Sequence, residues 1–142
     1  MSASSYARRL AVFALVFGGA FGTVAPTAAE EALRATMECR VEAGTGRLLC
    51  TVALGSAPER VLRWSDAVVV SAPPSARPLR SRVASSAAHP EQIVIGFVLG
   101  SGEGGRIEVV VRAVSCPAKP RPGQACTPER RAVSYELSRP AQ

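Results

Sequence analysis

This sequence predicts an all-β fold, an antiparallel sandwich, and three observations carry the prediction. Apolar residues alternate with a period of two in several short runs, turn residues recur about every 8–12 positions, and no stretch holds a helical period. The favoured architecture is immunoglobulin-like with about seven strands; a small β-barrel is the alternative. The pattern is clearest over residues 92–114. Ile93, Ile95, Phe97 and Leu99 alternate with Val94, Gly96 and Val98, and a glycine-rich break follows. Ile107, Val109, Val111 and Ala113 then alternate with Arg106, Glu108, Val110 and Arg112. The stretch therefore reads as a β-hairpin, with a central first arm and a second arm that has one wet face.

Residues 1–29 read as an address rather than as structure. Arg8 and Arg9 supply a positive start, and the apolar run over 10–24 is short and broken by Gly18, Gly19, Gly22 and Thr23. With the small residues Thr27 and Ala29, this predicts a signal peptide cleaved before Glu30, in preference to a retained membrane anchor. Cys39 lies too far downstream to be a lipidated cleavage-site cysteine. No later apolar run reaches membrane length, so the mature chain is expected to have no transmembrane segment. Residues 30–142 are then one exported domain, periplasmic or extracellular.

Within that domain, residues 36–54 predict a true hairpin. Met37, Cys39 and Val41 share one face, Leu48, Cys50, Val52 and Leu54 share the other arm's face, and Gly44-Thr45 suits a two-residue turn. Cys39 then lies opposite Cys50 as a hydrogen-bonded pair, with Cα atoms about 5.5 Å apart. Over residues 60–70, Leu62, Trp64, Val68 and Val70 share one parity, and a bend or bulge near Ser65-Asp66 lets the carboxylate leave the core at the cost of regular pairing there. Residues 79–84 form a weak, arginine-flanked edge strand, and 85–90 form a loop. A proline-rich loop at 116–128 precedes a last strand over 132–137, with Val133, Tyr135 and Leu137 inward.

Four cysteines in an exported domain read as a disulfide framework. The favoured pairs are Cys39 with Cys50 and Cys116 with Cys126. The rival is nested, Cys50 with Cys116 across Trp64 and Cys39 with Cys126, following the order of true immunoglobulin domains. Parity disfavours it: Cys116 falls opposite to the inward set Ile107 to Ala113, and Val114 stands where that family places a tyrosine. A four-cysteine zinc site lacks the close ligand spacing such sites use, so no metal or other cofactor is expected.

Several motifs invite a catalytic reading and lack what it requires. Residues 100–105 match G-x-G-x-x-G, but a strand pattern follows where a dinucleotide site needs a helix. Gln124-Ala125-Cys126 echoes a caspase run but continues into Thr127-Pro128. His89 and Asp66 are the only histidine and aspartate, so a triad would need both with a serine such as Ser85 or Ser86, and no G-x-S-x-G is present. An envelope hydrolase is thus the weakest of three expectations.

The formal charge is +6, falling to about +4 without Arg8 and Arg9, and it is carried by arginine, with Lys119 the only lysine. That balance permits anionic partners without naming one, and the alanine and arginine richness is also what a GC-rich bacterial genome alone would produce. Arg77, Arg80 and Arg82 on the weak strand and Lys119 and Arg121 on the closed loop are the candidate binding surface. Stacking aromatics are scarce once Tyr6, Phe13, Phe17 and Phe21 leave with the leader, so no specific nucleic acid is expected. The leading expectation is a non-enzymatic binding or structural module of the cell envelope, meeting a protein or an anionic polymer. The alternative is a protease inhibitor presenting the 116–126 loop, although prolines after Lys119 and Arg121 suit a scissile bond poorly.

Overall fold

The computed structural model describes residues 33–138, so the leader expected at 1–29 lies outside the described residues. The chain forms β1 (Leu33–Glu42), β2 (Arg47–Ser56), β3 (Arg60–Ser71), β4 (Ala76–Pro78), β5 (Arg82–Ala84), β6 (Gln92–Leu99), β7 (Gly105–Pro117) and β8 (Thr127–Leu137). These make two four-stranded antiparallel sheets, ordered β1-β2-β6-β4 and β5-β3-β7-β8, with no helix among the described residues.

The inner faces follow the sequence alternation closely. Leu48, Cys50 and Val52 of β2 and Ile93, Ile95 and Phe97 of β6 form one buried cluster with Ile107, Val109, Val111 and Ala113 of β7. Each such aliphatic or aromatic side chain removed from water contributes about 1.5–3 kcal/mol, so this interface dominates the favourable side of folding. Val133, Tyr135 and Leu137 of β8 pack against it from the edge.

β6 and β7 do not pair with each other, which corrects the hairpin expected over 92–114. β6 pairs with β2 and β4, whereas β7 pairs with β3 and β8. Alternation cannot separate the two cases, because an apolar face is needed equally for a hairpin over a core and for strands facing each other across one. The glycine-rich 100–104 segment is a crossing between layers. β6 is central, as expected, and its outward Gly96 lies under Leu79, whose Cδ1 would meet an added Cβ at 2.8 Å.

The hairpin over β1 and β2 is present, with Cys39 opposite Cys50. Its connection has four residues, 43–46, with Gly44 and Gly46 at φ of 76° and 64°, rather than a two-residue turn. Adding one residue on each side keeps the register but exchanges the hydrogen-bonded and non-hydrogen-bonded pairs. Accordingly the Cys39 and Cys50 Cα atoms are 4.0 Å apart, the spacing of a non-hydrogen-bonded pair and not the wider one expected. The second disulfide joins Cys116 to Cys126, with Cα atoms 4.1 Å apart, just beyond the β7–β8 ladder that ends at Ser115 and Thr127.

The last strand starts at Thr127, five residues earlier than the sequence predicts, because β7 runs on to Pro117 and offers it partners. The exposed loop is correspondingly shorter. Arg60 ties its base down: Nε donates to Ser115 Oγ (2.8 Å), and Nη2 donates to Ser115 O (2.7 Å) and Thr127 Oγ1 (3.0 Å). Of the edge strand expected over 79–84 only 82–84 is present, as β5 at the edge beside β3, while a second three-residue strand, β4, precedes it at Ala76–Pro78 beside β6 in the other sheet. The connection between them passes from one layer to the other.

β3 departs most from expectation. Its pairing with β7 shifts between Leu62 and Trp64 and again between Val69 and Ser71. Arg63 is the extra residue of the first shift, and one extra residue exchanges the faces of all that follow. Leu62 packs on the core, but thereafter Ser65, Ala67 and Val69 point inward. Trp64, Val68 and Val70, expected inside, share the outer face instead, with Trp64 39% and Val70 59% exposed. Trp64 is the only tryptophan, so the emission of the native protein should be quenched readily by acrylamide and by iodide. Emission shielded until denaturant is added would contradict this register.

Candidate functional site

The outer face of the β5-β3-β7-β8 sheet gathers the least expected set of side chains in the fold. Register aligns Ala84, Asp66, Arg112 and Arg130 in one row across the four strands. The next row holds Arg82, Val68, Val110 and Ala132, and the row on the other side holds Trp64, Val114 and Pro128. The chain's only aspartate and only tryptophan are thus neighbours on one face, two residues apart along β3.

Asp66 has no exposed side-chain surface, yet it faces away from the core. Its own partners seal it. Arg82 Nε donates to Oδ2 at 2.5 Å, Arg112 Nε donates to Oδ1 at 2.8 Å, and Arg112 Nη2 donates to Oδ2. Burial alone would push the Asp66 carboxyl up, but the hydrogen bonds from Arg112 and Arg82, with their charges, outweigh it and hold the group below its ordinary value. In return Asp66 raises the Arg112 guanidinium above its ordinary value. The bulge expected near Ser65-Asp66 falls just upstream, at Arg63, and it does carry the carboxylate out of the core. Asp66 stays in the strand, and Ser65 turns inward, donating from Oγ to Pro90 O at 2.5 Å.

The arginines are held without being used up. Arg82 and Arg112 keep 59% and 41% of their side-chain surface exposed. Arg82 engages Asp66 through Nε alone, so both Nη groups remain as donors, and Arg112 keeps Nη1. Arg112 also lies over the Trp64 ring, 6.0 Å from its centroid, at the limit of a cation–π contact. Arg130 stands exposed beside Arg112. The far end of the same face carries one arginine and two glutamates, with Arg106 paired to Glu136 at 2.5 Å and Ser71 donating to Glu108 at 3.0 Å.

Of the arginines and lysine singled out in the sequence, only Arg82 belongs to this group. Arg77 lies on β4 in the opposite sheet, and Arg80 lies in the connection that follows. Lys119 and Arg121 line a recess of about 420 Å³ with Glu59 and Arg60 at the base of the disulfide loop. Arg82 is level with Val68 and that loop is level with Arg60, eight positions along β3, or about 26 Å. The edge and the loop therefore do not meet. Arg112 and Arg130 were visible only as charges on the wet side of a strand, and nothing in the sequence paired them with Asp66 across the Arg63 bulge.

Two other places were marked in the sequence. The 100–105 glycine segment helps to line an apolar cleft of about 570 Å³ at one end of the sandwich, with Val41, Leu48, Leu99, Tyr135 and Leu137. At the other end of β1, Arg131 Nε closes onto Leu33 O at 3.0 Å. His89 stands with Glu91, Nδ1 to Oε1 at 3.3 Å, and Ser85 donates to Ser65 O, while Asp66 is taken by its arginines. These three are not assembled into a relay. Among the described residues no group of three or more His, Cys, Asp or Glu could hold a metal ion, and no helix is long and apolar enough to cross a membrane.

Because Asp66 titrates from a depressed value, its contribution to stability is present above its unfolded value near pH 4 and is lost as the pH falls through the lower folded value. Asp66→Asn should therefore cost about 1–3 kcal/mol at neutral pH in urea denaturation and much less at pH 2 to 3. An equal cost at both pH values would mean that the pairing with arginine does not carry the effect.

Two disulfides are the chemistry of an oxidising compartment. Compared with known proteins, the chain matches no family model, no curated protein and no solved structure, so its geometry is what speaks to its role.

Proposed function

We propose that this chain is an exported, non-enzymatic binding module of the cell envelope that recognises an anionic partner through the outer face of its β5-β3-β7-β8 sheet. The observation that carries this reading is the buried Asp66 carboxylate, which aims Arg82 and Arg112 outward with donors to spare. Charge-assisted bonds from guanidinium are strongest when the fork is already oriented, because little side-chain freedom remains to be lost on binding. A purely structural ion pair would need one arginine. Here two arginines share one carboxylate and a third, Arg130, stands beside them, leaving a net positive group.

Export is supported by the leader pattern over 1–29 and by the two disulfides. The sheet orders β1-β2-β6-β4 and β5-β3-β7-β8 support an immunoglobulin-like arrangement, a scaffold that carries contacts on its faces and end loops. Here β4, then β5, interleave between the two layers where a regular domain would keep consecutive edge strands in order.

The test is retention of the processed protein on sulfated dextran beads along a salt gradient. Arg82→Gln combined with Arg130→Glu should weaken binding by about tenfold or more and flatten its salt dependence. Lys119→Glu with Arg121→Glu, on the distant loop, should change it far less. Equal retention of both double variants would remove this face as the recognition surface.

A further inference from the structure

We infer that the partner is an acidic polysaccharide, laid across the strands so that its charges follow the oblique stripe of Arg82, Arg112 and Arg130 and its sugar faces rest on Trp64; this deepens the reading above and rests on it. The first ground is extent. Arg82, Arg112 and Arg130 are carried by β5, β7 and β8, and from β5 to β8 is three inter-strand spacings, about 14 Å. A single small anion can engage only part of such a stripe, whereas a chain with a charge on each repeat can follow it.

The second ground is the ledge beside the stripe. Trp64, Val114 and Pro128 occupy the adjoining row, and Trp64 is partly exposed next to Arg112. Charge on one side and an apolar aromatic plane on the other match a ligand that is itself two-sided. A uronate sugar has that form, with a carboxylate at its rim and C–H groups on the face of its ring. Guanidinium forks take the carboxylate in two parallel hydrogen bonds.

The same features disfavour the other polyanions. Single-stranded nucleic acid is held by a succession of aromatic side chains, and this face carries one. An acidic peptide in extended form pairs through its backbone with a sheet edge, but these side chains lie on a sheet face, and the one carboxylate among them, Asp66, is already engaged. Sugar hydroxyls accept as well as donate, so a face rich in donors suits them.

Calorimetric titration of the processed protein would use polygalacturonate, galacturonate, neutral dextran, polyglutamate and an oligothymidylate. Polygalacturonate should bind at least about tenfold more tightly than polyglutamate or the oligonucleotide, while galacturonate and dextran bind weakly or not at all. Trp64→Ala should cost about tenfold or more for polygalacturonate, Trp64→Tyr should restore most of it, and both variants should keep native circular dichroism. The emission of Trp64 should change on binding. Equal affinity for all three polyanions, untouched by Trp64→Ala, would overturn the polysaccharide inference and leave the anionic reading in place. Binding to none of them would overturn both.

Discussion

One extra residue in β3 determines what this sheet shows to solvent. Without the bulge at Arg63, Trp64, Asp66 and Val68 would lie on the core side of the strand, and a carboxylate would face the apolar cluster between the sheets. An ionised group in that position costs several kcal/mol, enough to remove most of a small domain's stability. With the bulge, Ser65 and Ala67 take the inner positions, small enough to fit under the large side chains of β6. Asp66 arrives on the outer face directly opposite Arg112. A packing requirement and an electrostatic one are met by a single change of register, and the arginine group exists because both are met.

This explains which parts of the molecule were legible in the sequence. Where a strand is regular, alternation reports its faces faithfully, as it does for Leu48 to Leu54, Ile93 to Phe97 and Ile107 to Ala113. The cysteines were legible for the same reason. Cys39 and Cys50 sit in one alternating hairpin, and the parity of Cys116 set it apart from the core. Trp64 misled because the bulge lies before it, at Arg63, and not near Ser65-Asp66, and an apolar residue carries no mark of where an insertion falls. The pairing of β6 was illegible for a different reason. A period of two fixes which side chains face the core and is silent about which strand lies alongside, so a hairpin and a crossing between layers look identical.

The covalent and polar ties lie at the sheet edges. One disulfide joins directly opposed residues of β1 and β2, and the other closes the chain just beyond the end of the β7–β8 ladder. Such short cross-links remove less chain entropy than long ones. Their effect here is to hold strand pairs whose outer member, β1 or β8, is the edge of its sheet. Arg60 does the same work by hydrogen bonding, holding Ser115 and Thr127 together at the mouth of the disulfide loop. The base of the loop is thereby tied to one end of the sandwich, two residues along β7 and β8 from the row that holds Trp64, Val114 and Pro128.

The composition of the arginine group argues against a purely structural origin. Burying an ion pair is a poor way to gain stability, because desolvation offsets most of the Coulomb attraction, and a well-packed apolar set in its place is often as stable or more so. Val68, Val110 and Val114 already surround Asp66 on this face, so an apolar residue there would extend an existing patch. What such a residue could not do is hold two guanidinium groups at fixed angles with their outer nitrogens turned to solvent. The costly feature is the carboxylate without surface, and the gain it yields is orientation of Arg82 and Arg112. Orientation of exposed donors has little value to a folded chain alone. On the reading proposed above, it has value to a chain that meets something negative.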